Sequence, residues 1–216
     1  MISTSSYNAF KSDKYGVYSI SGNRGVDAGY GGKCYPDLAP KRGFWKEWKN
    51  NIGKVSFEEN TKFYIKEYWN QVLFKLDPEK VFRELDDSIL LCYESNMEFC
   101  HRHIVAAWFE LLLEVSVREI KADGYKIEEV SKPEYIKEYL EEIIRNSVNM
   151  RNFNSLRAWY LFEKAEKLEA KACELEEKTG ECYDDYRQTA CFLRCDADMA
   201  EDEYLLRMKQ KQLIKK

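Results

Sequence analysis

Ser88-Ile89-Leu90-Leu91-Cys92-Tyr93-Glu94-Ser95-Asn96-Met97-Glu98-Phe99-Cys100-His101-Arg102-His103 reads as a strand, a loop and the start of a helix. Ser88 to Tyr93 is a short run with no polar alternation, the pattern of a strand covered on both faces. Glu94 to Phe99 is a loop, and a helix is expected from near Cys100 to about Ile120. A buried central strand feeding a helix is the unit from which α/β sheets are assembled.

Outward from this stretch the punctuation is consistent. Tyr15 to Ser21 alternates and is rich in β-formers, so it reads as a second strand, and Met1 to Ser5 as a third. Gly22 to Gly32 is a glycine-rich loop. Its Gly29-Tyr-Gly-Gly32 lacks the G-x-G-x-x-G spacing and the following helical pattern of a dinucleotide fingerprint. Ser56-Phe-Glu-Glu59 is a capping box that opens a helix to about Lys75. Asp77-Pro78 opens another, with Asp as cap and Pro in its first turn. The expected fold is α/β, a small parallel or mixed sheet flanked by helices.

Gly124 and Lys132-Pro133 mark a boundary, so the expected division is an α/β domain over 1–130 and an all-helical extension over 131–216. In the extension Tyr135 to Val148 is one helix. Leu161, Ala165, Leu168, Ala172 and Leu175 then recur in steps of four and three. Tyr186, Ala190, Leu193, Ala197, Ala200 and Tyr204 do the same after Thr179-Gly180, a natural helix stop. This is the pattern of an antiparallel helical hairpin with a coiled-coil-like seam.

Composition narrows the function. The net charge of −4 argues against a protein that grips nucleic acid by bulk electrostatics. The longest apolar run, Ile104 to Leu113, is broken by Glu110 and is too short to span a bilayer. The first residues have neither a basic start nor an apolar core, so the expected location is the cytoplasm. There the seven cysteines should be reduced, and an odd count excludes a complete internal disulfide framework.

The Cys92–His103 stretch gathers two thiols, two carboxylates, a guanidinium and both histidines of the chain. It lies where α/β sheets bind ligands, beyond the carboxyl end of a strand and at a helix start. Cys92 and Cys100 are candidate nucleophiles, His101 a general acid or base, and Glu94 a second titrating group. Arg102 is the candidate anion contact. The competing reading makes Cys92 a buried small hydrophobe and pairs Arg102 with Glu98. Pro40 to Lys49 could also meet a nucleotide, Lys41, Arg42, Lys46 and Lys49 touching phosphates while Phe44, Trp45 and Trp48 stack. Helical spacing favours packing of those aromatics instead.

Cys92-Tyr-Glu, a short spacer and Phe99-Cys-His-Arg-His103 after an apolar strand resemble the hallmark of the domain of unknown function four-eight-eight family. Tyr18-Ser-Ile-Ser21, and Tyr35-Pro-Asp-Leu-Ala-Pro40 followed by Trp45 and Trp48, fit the same resemblance. It covers roughly 1–120, leaves the hairpin outside, and implies a compact α/β domain. Carried over position by position it points to Cys92, Glu94, Cys100, His101 and Arg102. Ser19, Ser21, Tyr35 and Lys41 are added as candidate ligand contacts.

No cofactor or metal is expected. At Cys92, Cys100, His101 and His103 the spacing fits no paired zinc arrangement, and adjacent Cys100 and His101 would point apart on a helix. Cys173, Cys182, Cys191 and Cys195 include no C-x-x-C pair. The reading is therefore an enzyme-like domain that takes a small anionic, nucleotide-related ligand. The alternative is a non-catalytic interaction module working through the hairpin, with a homodimer as its preferred assembly.

Overall fold

The computed structural model describes residues 1–11, 16–150 and 153–214. Tyr15, the first residue of the expected second strand, lies outside them. The chain divides into two compact units, Met1–Ser147 and Val148–Lys216.

The first unit is the α/β unit. Its strands are β1 (Ser3–Ser6), β2 (Phe10–Lys11), β3 (Gly16–Ser19), β4 (Lys33–Cys34), β5 (Ser88–Cys92), β6 (Arg118–Asp123) and β7 (Lys126–Val130). Its helices are α1 (Arg42–Asn51), α2 (Phe57–Gln71), α3 (Pro78–Glu84), α4 (His101–Leu113) and α5 (Glu134–Ser147). The sheet order is β2-β6-β1-β5-β3-β4, with β7 on β6. Pairs along the main path are parallel, and only β7 runs antiparallel to its neighbour. The sheet is thus mixed.

β5 sits between β1 and β3, and each of its five residues is buried, as its unbroken apolar run requires. The caps act where the sequence puts them. Ser56 accepts from the Glu59 backbone N–H at 3.1 Å, and Asp77 from those of Glu79 and Lys80 at 2.9 and 3.1 Å. In the glycine-rich loop, Gly25 adopts φ +82, and a Cβ there would lie 2.7 Å from the Tyr7 hydroxyl.

Two expectations are corrected. The helix after Cys100 does not reach Ile120: it ends at Leu113, where Glu114 turns left-handed at φ 54, and β6 follows. Residues 118–130 form two paired strands whose many charged residues hid them. The division also falls after Ser147 rather than at 130. α5 is part of the α/β unit because Ile136, Leu140 and Ile144 are buried and its residues meet α2. The Trp69 indole donates to Ser147 Oγ at 2.9 Å, and Lys62 pairs with Glu142 at 3.2 Å.

The second unit is a helical hairpin of α6 (Leu156–Thr179) and α7 (Asp184–Ile214). Gly180 closes α6 in the left-handed region at φ 73. Ala165, Ala172, Ala190 and Ala197 are fully buried in the seam, so the backbones approach closely. Arg187 pairs with Glu176 near the turn, and Glu201 accepts from the Asn154 and Ser155 backbone N–H groups at the other end. These contacts run in opposite sequence directions, as an antiparallel pair demands.

Candidate functional site

β5 and α4 build the site. Cys92 is the last residue of β5. Cys100 is the N-cap of α4, with extended backbone at φ −149, ψ 145. The expectation that Cys100 and His101 diverge assumed both were helical. Because Cys100 precedes the first turn, its side chain turns back toward Cys92 and His101, and one ligand-type atom from each lies within 4.8 Å of the others. All three residues are buried.

His101 Nε2 lies 2.9 Å from the Ile20 carbonyl. A carbonyl only accepts, so Nε2 carries a proton and donates it. The Cys92 sulfur is 3.5 Å from Nδ1 and 3.7 Å from Nε2. Near-equal distances place that sulfur over the ring face rather than on either in-plane nitrogen direction. Cys92 also lies 3.6 Å from the Glu94 carboxylate.

The electrostatics follow from this packing. Burial alone would raise the Cys100 thiol. The hydrogen bond from Cys92 and the charges of Arg102 and His101 outweigh burial and hold it well below the ordinary thiol range. The start of α4 contributes in the same sense, since its dipole favours an anion. Burial, the Cys100 hydrogen bond and its charge push Cys92 up. His101 is held above its ordinary value: burial opposes this, but the bond to Cys100 and the Ile20 carbonyl prevail. Glu94 is pushed up to about 7, first by burial and then by the Cys100 charge. The packing therefore favours the thiolate at Cys100, the protonated ring at His101 and the neutral thiol at Cys92, with Glu94 titrating near neutrality beside them.

Cys92, Glu94, Cys100 and His101 line one cavity of about 770 Å³. Its other lining residues include Ser21 and Asn23 of the glycine-rich loop and Arg42, Trp45, Trp48 and Lys49 of α1. Asn23 fixes the loop by accepting from Tyr93 Oη at 2.6 Å and the Gly25 N–H at 3.2 Å. Phe44 is buried against Tyr64 and Tyr68, while Trp45 is exposed. The α1 aromatics thus divide between packing and the cavity. Lys49 Nζ stands 4.8 Å over the Trp48 ring.

Arg102 is placed elsewhere. It is fully buried, does not line the cavity, and pairs with Glu119 of β6 rather than with Glu98. Its Nη2 donates to Glu119 at 2.9 Å and to the Ser95 carbonyl at 2.8 Å, and its Nε to Glu119 at 3.2 Å. Glu119 also accepts from Thr4 Oγ1 at 2.6 Å and faces His103 Nε2 at 3.4 Å. Burial would raise Glu119, but His103 and Arg102 hold it below its ordinary value. The guanidinium therefore reaches the site as a buried charge beside Cys100, held by Glu119 and the Ser95 carbonyl.

Ser21 lines the cavity, whereas Ser19 is buried and bonded to Tyr7 at 2.6 Å and to Ser21 at 3.1 Å. Tyr35 donates to Glu84 at 2.5 Å, and neither it nor Lys41 lines the cavity. Arg42, next to Lys41, does. Tyr93 and Asn23 are lining residues that the sequence reading missed, since a loop's closure over a neighbouring strand leaves no local pattern. As metal ligands, Cys92, Cys100 and His101 carry suitable donors. His101 gives Nε2 to the Ile20 carbonyl, which leaves Nδ1 as the ring's remaining ligand atom. Cys173, Cys182, Cys191 and Cys195 are exposed, and among the described residues no three of their kind gather in the hairpin.

No curated protein and no solved structure matches the chain. Every residue lining the cavity falls within 19–112, a span shorter at both ends than the resemblance read over 1–120. Residues 19–112 match the DUF488-N3a family model, described as the active DUF488-N3 subclade, and the resemblance of the α/β unit to the DUF488 family rests on that stretch.

Proposed function

We propose that the α/β unit is an enzyme-like domain that binds a small anionic, nucleotide-related ligand in the 770 Å³ cavity and acts on it through the Cys100 thiolate. The observation that carries this reading is the convergence of Cys92, Glu94, Cys100 and His101 on a cavity also lined by two indoles and two cations. The volume suits a ligand of nucleotide size. Trp45 and Trp48 offer ring faces for a base, and Arg42 and Lys49 offer charge to phosphate. Cys100 is the nucleophile, His101 holds its charge, and Glu94 supplies a proton to a departing group. In this reading the protein works in the cytoplasm, where a free thiolate persists. The test is a thermal-shift series with nucleoside mono-, di- and triphosphates, paired with the rate of Cys100 alkylation by iodoacetamide. Stabilisation together with slowed alkylation is expected. Neither effect with any nucleotide would overturn the reading.

A second reading is favoured by the hairpin surface. α7 leaves Phe192, Met199 and Leu206 more than half exposed, a set of large apolar side chains that a second copy of the chain could cover. Light scattering of the wild type and of Phe192→Glu/Leu206→Glu tests it, with a dimer that becomes a monomer as the expected result.

A further inference from the structure

Cys92 has no part in binding or in proton transfer in the reading above, yet it is buried against the reactive sulfur. Its Sγ and that of Cys100 lie within 4.8 Å of one another, and both residues line the cavity. We propose that Cys100 is a site of oxidation by small hydroperoxides and that Cys92 is its resolving thiol, the pair closing a reversible disulfide that shuts the site down. The inference rests on Cys100 being the thiolate of the proposed function.

Geometry supports each step. A disulfide holds its sulfurs about 2.05 Å apart, so closure needs an approach of at most about 3 Å. Cys100 can move, because it precedes α4 and follows the loop of residues 93–99 rather than sitting inside a helix. The cavity, lined by both cysteines, admits a molecule as small as hydrogen peroxide. No other pair of cysteines is buried among the described residues; Cys173, Cys182, Cys191 and Cys195 are exposed and Cys34 is half-buried.

The chemistry balances with the hydroperoxide as the named oxidant. The Cys100 thiolate attacks the outer peroxide oxygen and the O–O bond breaks. With hydrogen peroxide the departing hydroxide takes a proton and leaves as water, which makes Cys100 a sulfenic acid. The Cys92 sulfur then attacks the Cys100 sulfur and the S–O bond breaks. The second hydroxide leaves as water with the proton of the Cys92 thiol. One peroxide is reduced to two waters and two thiols become one disulfide. Without Cys92 the sulfenic acid has no buried thiol beside it and proceeds to the irreversible acids.

The experiment treats the full chain with a few equivalents of hydrogen peroxide, blocks free thiols with iodoacetamide and maps peptides without reduction. Trypsin leaves both cysteines in the single peptide 84–102, so the disulfide appears as that peptide unalkylated and lighter by two hydrogens. Cleavage after Glu94 and Glu98 leaves two peptides joined. The expected result is that species in the wild type, reversed by dithiothreitol, and Cys100 sulfinic or sulfonic acid in Cys92→Ser. A wild type in which Cys100 becomes sulfinic while Cys92 stays alkylatable would overturn the proposal. So would oxidation confined to the exposed cysteines. The wild-type map decides even where Cys92→Ser fails to fold. Disulfide formation without nucleotide binding would refute the proposed function and leave this inference standing; the converse pattern would refute the inference alone.

Discussion

At Cys100 three effects compete: burial favours the neutral thiol, while the Cys92 donor and the charges of Arg102 and His101 favour the anion and win. The thiolate's rate of alkylation should therefore hold nearly constant from neutral pH down toward its depressed pKa, where exposed cysteines already react slowly. Glu94 titrates in the opposite sense. Its folded pKa is raised to about 7, so its contribution to stability is fully present below the unfolded carboxylate value, about 4.3, and is lost as pH rises through about 7. Glu94→Gln should remove that loss. Urea unfolding at pH 5 and pH 8 is expected to show a drop in the wild type that the variant lacks, and an equal drop in both would put the pH dependence elsewhere. Arg102→Ala leaves the Glu119 carboxylate buried with only Thr4 and His103 beside it, and breaking such a pair costs about 3–5 kcal/mol. Chemical denaturation checks this, and a variant as stable as the wild type would show that the pair is dispensable.

At the scale of elements, α1 divides its labour along its own faces. Phe44 anchors it against Tyr64 and Tyr68, and Arg42, Trp45, Trp48 and Lys49 line the cavity. Substitutions on the second set should separate binding from folding. Arg42→Ala and Lys49→Ala are each expected to weaken nucleotide affinity roughly ten- to a hundredfold, the loss of a charge-assisted bond worth about 1.5–3 kcal/mol. The melting temperature should change little, because both heads lie at the cavity and not in the core. Titration of each variant with the best nucleotide of the panel checks this; unchanged affinity in both would remove the phosphate role from α1. β5 and the start of α4 were legible because an unbroken apolar run, a short loop and the helical pattern after it are local signals. β6 was not, since four of the six residues in Arg118–Asp123 are charged and the strand follows a helix with no turn dipeptide between them. Missing β6 also hid the true partner of Arg102, which comes from that strand.

For the whole molecule, the division after Ser147 carries a prediction of its own. The α/β unit contains the entire sheet, α5 and every cavity residue. A chain ending at Ser147 should therefore melt cooperatively and keep the anomalous reactivity of Cys100. Circular dichroism and alkylation kinetics of that truncation check the outcome, and an unfolded product would show that the sheet needs the hairpin. Among the described residues no helix is long and apolar enough to cross a membrane, which agrees with the interrupted run from Ile104 to Leu113.

Local order in the sequence determined the α/β class, the capped starts of α2 and α3, the buried strand at Ser88–Cys92 and the seam of the hairpin. Each depends on periodicity or on a cap within a few residues, and such signals are complete in the chain itself. The grouping of reactive side chains beyond β5 was legible as well, because one short connection carries them. Tertiary structure decided the roles. Whether Arg102 touches a ligand depends on Glu119, seventeen residues away on a different strand. Whether Cys100 and His101 meet depends on one residue's backbone lying just outside a helix. Which unit owns α5 depends on the apolar face it finds, and an amphipathic helix specifies that it must be covered without specifying by what.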